Sequence, residues 1–398
     1  MARISPVEVR FVKDEFSREV PSPPHDALTP AERRAHIAQH PLSYLAVTRG
    51  PEDASPDSPE TDEELLVAGK EALDRLLDEG VFCDLRQPAM YAIRLRTADH
   101  TQTGLLCGVW AKSRATGQLR AHEEVRGSRR DHLAKHLKVV GHQSSPVVVA
   151  HRPVASISAE IEAATRHEPV LHLESPDGLD QTIWEVDAGA TERLVQALDG
   201  VPLYIIDGHH RTGASEVIAE SGGPDAQWVL SAIFPEDEMR NYSHHRWMHV
   251  DDAEATLALI ESSLASHRVT VHEVERRKHG QIGFYGAGRW VLAELPGAFT
   301  DTALDVLEPV RFDRLITDLG LGAVPMHYLP GTRSLADLAA TVDGHGGMLC
   351  AMNPIDMDEL FAVADAGQIM PPKSTYFSPK ARSGVILRPV DQGARAQG

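Results

Sequence analysis

An α/β fold of the α+β kind, with additions at both ends of a central core, is the class that this sequence predicts, on three observations. Between Leu119 and Pro235, helical and extended apolar patterns alternate. Within that stretch the run Leu203-Tyr204-Ile205-Ile206 reads as a strand covered on both faces and ends abruptly in Asp207-Gly208-His209-His210-Arg211. The third is bulk: 398 residues, 42% hydrophobic and 24% charged, suffice for two or three domains with ample core. The expected division is an N-terminal α/β region over 1–100, a central core over 101–240, and a C-terminal α/β region over 241–398.

Element by element, a Pro-rich turn over 21–26 precedes a helix capped at Thr29-Pro30-Ala31-Glu32. The stretch SYLAVTR at 43–49 reads as a strand. Residues 50–64 are an acidic Pro/Ser loop, read as mobile, before a helix near Leu65 to Glu79. Strands follow at Met90–Leu95 and Thr103–Lys112. A helix over Arg129–Val140, started at Ser128, carries Leu133, Leu137 and Val140 on one stripe and closes at Gly141; a strand at Pro146–Ala150 comes next. Helices near Ile157–Arg166 and Thr191–Leu198 lead to the LYIID strand, its helix over Thr212–Ser221, and a strand at Trp228–Phe234. Beyond Arg240 come a helix with Ala255, Leu257, Ile260 and Leu264, and two strands whose Gly283, Gly286 and Gly288 suit a hairpin better than a dinucleotide fingerprint. A helix ends at Ala366-Gly367, and 391–398 is a frayed tail.

Composition excludes several functions. A net charge of -19 disfavours nucleic acid, because a duplex-binding surface must neutralise phosphates. No apolar run approaches the ~18 residues of a membrane span, and the charged first twenty residues lack a signal core, so a cytoplasmic protein is expected. Cys83, Cys107 and Cys350 are far apart, as reduced core residues are. Against the acidic background, Lys112–Lys138 carries eight basic residues against three acids, which suits a small polyanion or a solvated helix face equally.

Four constellations could carry chemistry. The Asp207–Arg211 turn between strand and helix presents free backbone amides and the helix dipole to an anion, with Gly208 permitting close approach and Arg211 offering a fork of donors. Its plain alternative is a helix cap. His122-Glu123-Glu124, between a strand and a helix, puts a carboxylate beside imidazole and guanidinium groups, which suits a general base for a hydroxyl; surface acid pairs are also common. Met370–Lys380, with Lys373, Ser374, Thr375 and Lys380 in a Pro-rich loop, suits a substrate loop or a structural strap. The cluster at 244–249 holds three histidines, but adjacent histidines alternate faces and ligate one ion poorly, so structural roles are expected there and Mg²⁺ brought by a nucleotide is favoured over a dedicated zinc.

The whole chain resembles the domain-of-unknown-function 1015 family. SPPHDALTPAE, QTGLLCGVW leading into the HE motif, RRDHLAKHL, SSPVVVAH, DGHHR, AIFPEDE and ADAGQIMPPKSTYFSPKARSG follow in family order. The resemblance implies a ParB/sulfiredoxin-like core, similar to that of free-serine kinases, in which the DGHHR turn binds nucleotide phosphates. By that resemblance Glu123 is the base, His122 orients the acceptor or touches phosphate, and Asp207 holds substrate or Mg²⁺. Gly208, His209, His210 and Arg211, with Arg126 and Arg130, then cradle phosphate. The chain departs from many members at His25, Val125 and Tyr376-Phe377-Ser378, so phosphoryl transfer is better supported than serine as acceptor.

The expectation is an amino-acid kinase using ATP or ADP with Mg²⁺ to modify serine or a similar hydroxy amino acid, with neither nucleic acid nor membrane as partner and a homodimer left open. The alternatives are a non-catalytic nucleotide-binding regulator, a phosphatase or nucleotide hydrolase using the same turn, and a ParB-like nucleic-acid protein, which the charge disfavours.

Overall fold

The computed structural model describes residues 3–23, 28–54, 60–298, 300 and 302–390. His25, the 55–59 part of the acidic loop and the 391–398 tail lie outside the described residues. The chain forms two compact units, one of residues 1–121, 125–239 and 379–398, the other of residues 122–124 and 240–378. Among the described residues no helix is long and apolar enough to cross a membrane.

The first unit is built on a nine-stranded mixed sheet. Its strands are β1 (Ile4–Ser5), β3 (Tyr91–Arg96), β4 (Thr101–Trp110), β5 (Leu119–Arg120), β7 (Val147–His151), β8 (Leu171–Glu174), β9 (Asp180–Glu185), β10 (Leu203–Asp207) and β11 (Trp228–Pro235). The order is β5-β10-β7-β11-β4-β3-β9-β8, with β1 on β4. β10 runs parallel to β5, β7 runs parallel to β11, and the other neighbours are antiparallel. Period-two alternation divides the core between the two faces: Tyr91, Ile93 and Leu106 bury on one, Ala92, Leu105 and Cys107 on the other. α2 (Asp62–Asp78) supplies Leu73 and Leu76 to the first face, and α4 (Ala155–Ala164) and α5 (Ala188–Leu198) supply Ile157, Ile161, Leu194 and Leu198 to the second. α3 (Gly127–Val140) and α6 (His209–Ser221) share a small cluster of Ala134, Ala214 and Ile218. α1 (Pro30–Gln39) opens with a complete Thr29–Glu32 capping box. β2 (Arg10–Phe11), β6 (His142–Gln143) and β20 (Ile386–Pro389) form a three-stranded sheet in the order β2-β20-β6.

The second unit carries a six-stranded antiparallel sheet of β13 (His244–Met248), β14 (Ser266–Val269), β15 (Gln281–Gly286), β16 (Arg289–Glu294), β17 (Met326–Pro330) and β18 (Met348–Ala351), ordered β14-β16-β15-β18-β13-β17. On one face α7 (Ala253–Ser263) and α9 (Glu308–Asp318) bury Leu257, Ile260, Phe312 and Ile316; on the other α8 (Val271–Glu275) and α10 (Leu335–His345) bury Val274, Leu335 and Leu338. α11 (Met357–Asp365) precedes the short pair of β12 (Asn241–Tyr242) and β19 (Tyr376–Phe377). The glycines near 286 belong to the β15–β16 hairpin, as their spacing predicts, with Ala287 and Gly288 both at positive φ in its turn.

Three expectations change. SYLAVTR is not a strand: Ser43 Oγ accepts the Leu45 amide and starts a 3-10 turn over Tyr44–Ala46, burying Tyr44 and Leu45 without any ladder. A β8–β9 hairpin stands where no strand is expected, its polar turn and short strands carrying little periodicity. α3 begins at Gly127 with Arg126 as its cap, ahead of Ser128.

Candidate functional site

β10 is buried from Leu203 to Ile206. Its register against β7 shifts between Ile205 and Asp207, a local irregularity that re-aims the strand's last residue. Gly208 follows at φ +101 and caps α6. The position needs glycine for its left-handed conformation, and a Cβ there, 2.9 Å from both Nε and Nη2 of Arg211, would also push that guanidinium aside. The chain therefore turns within one residue from a buried strand into a helix, leaving the first-turn amides of α6 at the strand's C-terminal end.

Asp207 is held by two cations. Lys380 Nζ donates to its Oδ1 at 3.0 Å, and Arg211 Nη2 donates to its Oδ2. Burial alone would raise the Asp207 pKa, but Lys380 and Arg211, helped by His209, outweigh it and hold the carboxyl well below its usual range. Arg211 Nη1 also donates to the carbonyls of Ser145 at 3.1 Å and Pro146 at 2.9 Å. Its fork thus ties the turn to the segment before β7, where the sequence suggested a fork open to phosphate. Two positive groups around one carboxylate leave a surplus of positive charge beside a helix N-terminus. Each carboxylate oxygen thus already accepts one bond from a cation, and a second lone pair on each remains for a further partner.

His209 is buried, and His210 is half-buried. The Arg126 amide donates to His210 Nε2 at 3.1 Å, which requires a lone pair on that nitrogen and hence a neutral ring. Burial, then Arg129 and Arg126, push the His210 pKa down and agree with that tautomer. Arg130 Nε donates to Asp131 at 2.8 Å, and its stem packs near Gly213 of α6. The basic segment of the sequence is thus partly a helix start facing the DGHHR turn.

His122, Glu123 and Glu124 group with the second unit, where the Met370 amide donates to the His122 carbonyl at 2.8 Å. Chain continuity ties them to the first unit as well: β5 ends beside β10 and parallel to it, and the loop after β5 re-enters the first unit at Val125 and Arg126. In the Pro-rich loop, buried Ser374 donates to the Pro371 carbonyl at 2.7 Å, Thr375 is half-buried, and Lys373 is exposed at φ +60. Only Lys380 of that group joins the turn, within the first unit. In β13, His245 is buried and its Nδ1 accepts the Met352 amide at 3.1 Å, a structural role.

The family model of a protein of unknown function, DUF1015, matches residues 4–311. The chain belongs to the DUF1015 family. A comparison with curated proteins gives no match. Among solved structures, this DUF1015 chain is similar to a free serine kinase mutant in complex with AMP, at 12% identity and TM-score 0.40, covering 72% of this chain and 91% of that one. It is also similar to a conserved hypothetical protein from Pyrococcus furiosus, at 12% identity and TM-score 0.35, covering 72% and 95%. A third is SbnI with a C-terminal truncation from Staphylococcus aureus, at 13% identity and TM-score 0.36, covering 70% and 84%. The DUF1015 match and the mixed α/β architecture agree with the resemblance read from the motifs.

Two features of this DUF1015 turn escaped the sequence. Ser145 and Pro146 act through backbone carbonyls, which no residue type reveals. The Lys380–Asp207 pair joins positions 173 apart, and the folding of the first unit brings them together.

Proposed function

We propose that the chain binds the phosphates of ATP or ADP at the Asp207–Arg211 turn and transfers a phosphoryl group between the nucleotide and the hydroxyl of free serine or a similar hydroxy amino acid. The observation that carries this reading is the cation surplus at the turn: Lys380 and Arg211 around Asp207, at the N-terminus of a helix opened by Gly208 at φ +101. Such a cradle stabilises a transferring phosphoryl by position and charge, which is most of what that reaction asks of a protein.

Lys380 supplies an ammonium held at the turn by Asp207, and the backbone amides of His209 and His210 supply fixed donors. Arg211, committed to Asp207, Ser145 and Pro146, keeps the turn rigid. Neutral His210 holds the start of α3 against the turn through the Arg126 amide. Glu123 takes the acceptor proton; support comes from its position in the loop that leaves β5, the strand parallel to β10. His122, in the same loop, orients the acceptor. Mg²⁺ arriving on the nucleotide would neutralise phosphate charge.

The test is phosphorus NMR of the purified protein with ATP or ADP, Mg²⁺ and a panel of hydroxy amino acids. A phosphorylated amino acid should appear, and Glu123→Gln should abolish turnover while nucleotide still binds. Release of inorganic phosphate alone would make the chain a hydrolase. Nucleotide binding with no turnover would make it a regulator. If Lys380→Met and Gly208→Ala both leave nucleotide affinity unchanged, the turn is not the phosphate site.

A further inference from the structure

Arg246 is among the largest fully buried side chains, 1% exposed, at the middle of β13 between β17 and β18. Burying a guanidinium is costly unless a counter-ion accompanies it. Here Nη1 donates to the His244 carbonyl at 2.5 Å, while Nε is buried without a hydrogen-bond partner among the described residues. Asp313 and Glu308 act on Arg246 only through space, and among the described residues neither forms an ion pair with it. What covers the charge is a ring: Tyr328, paired with Arg246 across β13 and β17, lies 4.5 Å from the guanidinium carbon.

That cover borders solvent: Tyr328 is 42% exposed. The His244 ring stands 6.3 Å from Tyr328 and 5.1 Å from Tyr376, the residue that follows the Lys373-Ser374-Thr375 loop. Asp313 follows Phe312 on α9, and Phe312 packs in one cluster with Met248, which lies two residues along β13 from Arg246 and on the same face; a guanidinium and a carboxylate placed there without an ion pair between them are an arrangement that a small zwitterion can bridge. The partly satisfied guanidinium, the aromatic wall and the separate carboxylate all belong to the second unit.

We propose that Arg246 is the receptor for the carboxylate of a small amino acid, reached when the Tyr328 ring swings aside, with Asp313 taking the ammonium. The choice of an amino acid rests on the kinase reading; the need for an anion at Arg246 does not. Ligand binding would supply the counter-ion that the fold leaves out.

The test compares thermal stability and L-serine binding of the full-length wild type with Arg246→Met, Arg246→Lys and Asp313→Asn. Removing an uncompensated buried charge should leave Arg246→Met at least as stable as wild type, whereas its L-serine affinity should fall roughly ten- to hundredfold. Serinamide, which lacks the carboxylate, should fail to stabilise the wild type. Asp313→Asn should weaken L-serine but leave glycerate, which lacks the ammonium, unaffected. If Arg246→Met unfolds, Arg246→Lys serves in its place: wild-type L-serine affinity in that variant makes Arg246 structural and overturns the proposal, as does equal stabilisation by serine and serinamide. The kinase reading fails separately. Serine phosphorylated with an unchanged KM in Arg246→Met sinks this subsite alone; protection by L-serine that requires Arg246, with no turnover, sinks the kinase alone.

Discussion

The Asp207–Lys380 pair is the sharpest handle on the turn, because it joins a strand end to a segment 173 residues later and both side chains are largely shielded, 29% and 19% exposed. Lys380→Met keeps the stem and removes the ammonium. A charge-assisted bond of this kind is worth roughly 1.5–3 kcal/mol when enclosed; with partial solvent screening we expect a coupling of about 1–2 kcal/mol. The assay is a double-mutant cycle of Lys380→Met and Asp207→Asn by urea unfolding at pH 7.5 and pH 5.5. Asp207→Asn should be the costlier single change, since it strips Arg211 of its anion too. The sign of the pH effect follows from the depressed carboxyl: folded, Asp207 titrates below its unfolded value near ~3.9. Its stabilisation is therefore complete above about pH 4 and is lost as pH falls below that value. The coupling should be equal at the two pH values. A coupling of only a few tenths of a kcal/mol, or one that halves by pH 5.5, refutes the shared-carboxylate account of the turn.

Further outcomes follow from the same geometry. Gly208→Ala forces a side chain into the left-handed region, at about 1–2 kcal/mol, and crowds Arg211; by calorimetric titration its nucleotide affinity should drop at least tenfold while circular dichroism stays native. In the second unit, burial, with Arg277 and Arg246 nearby, pushes His245 down to about 3, against about 6.5 unfolded. The neutral ring then costs stability as pH falls from about 6.5 toward 3, roughly 2 kcal/mol by pH 5. His245→Gln should flatten that acid limb in thermal melts, and an unchanged slope would show that another group is responsible.

Much of the fold was legible because local signals agreed with the global one. The stripe of α3 and its Gly141 stop, at φ +73, the Thr29 capping box of α1 and the β15–β16 hairpin each follow from short-range chemistry that the sheet merely accommodates. SYLAVTR failed for a physical reason: its apolar content is that of a strand, but a serine hydroxyl offered the backbone a nearer partner than any ladder. The β8–β9 hairpin failed because strands of four and six residues have too few alternations to stand out.

For the site, the sequence by itself determined where the chain must turn sharply, that glycine opens the turn, and that basic residues gather near it, since each depends on residue type and neighbours in the chain. Tertiary structure decided what those residues do. It turned Arg211 inward onto Asp207 and two backbone carbonyls, and it brought Lys380 to the same carboxylate. It also buried Arg246 with Nη1 on a carbonyl and, among the described residues, no partner for Nε. Charge pairing depends on which side chains a folded sheet brings within a few ångströms, and residue order along the chain carries no record of that distance.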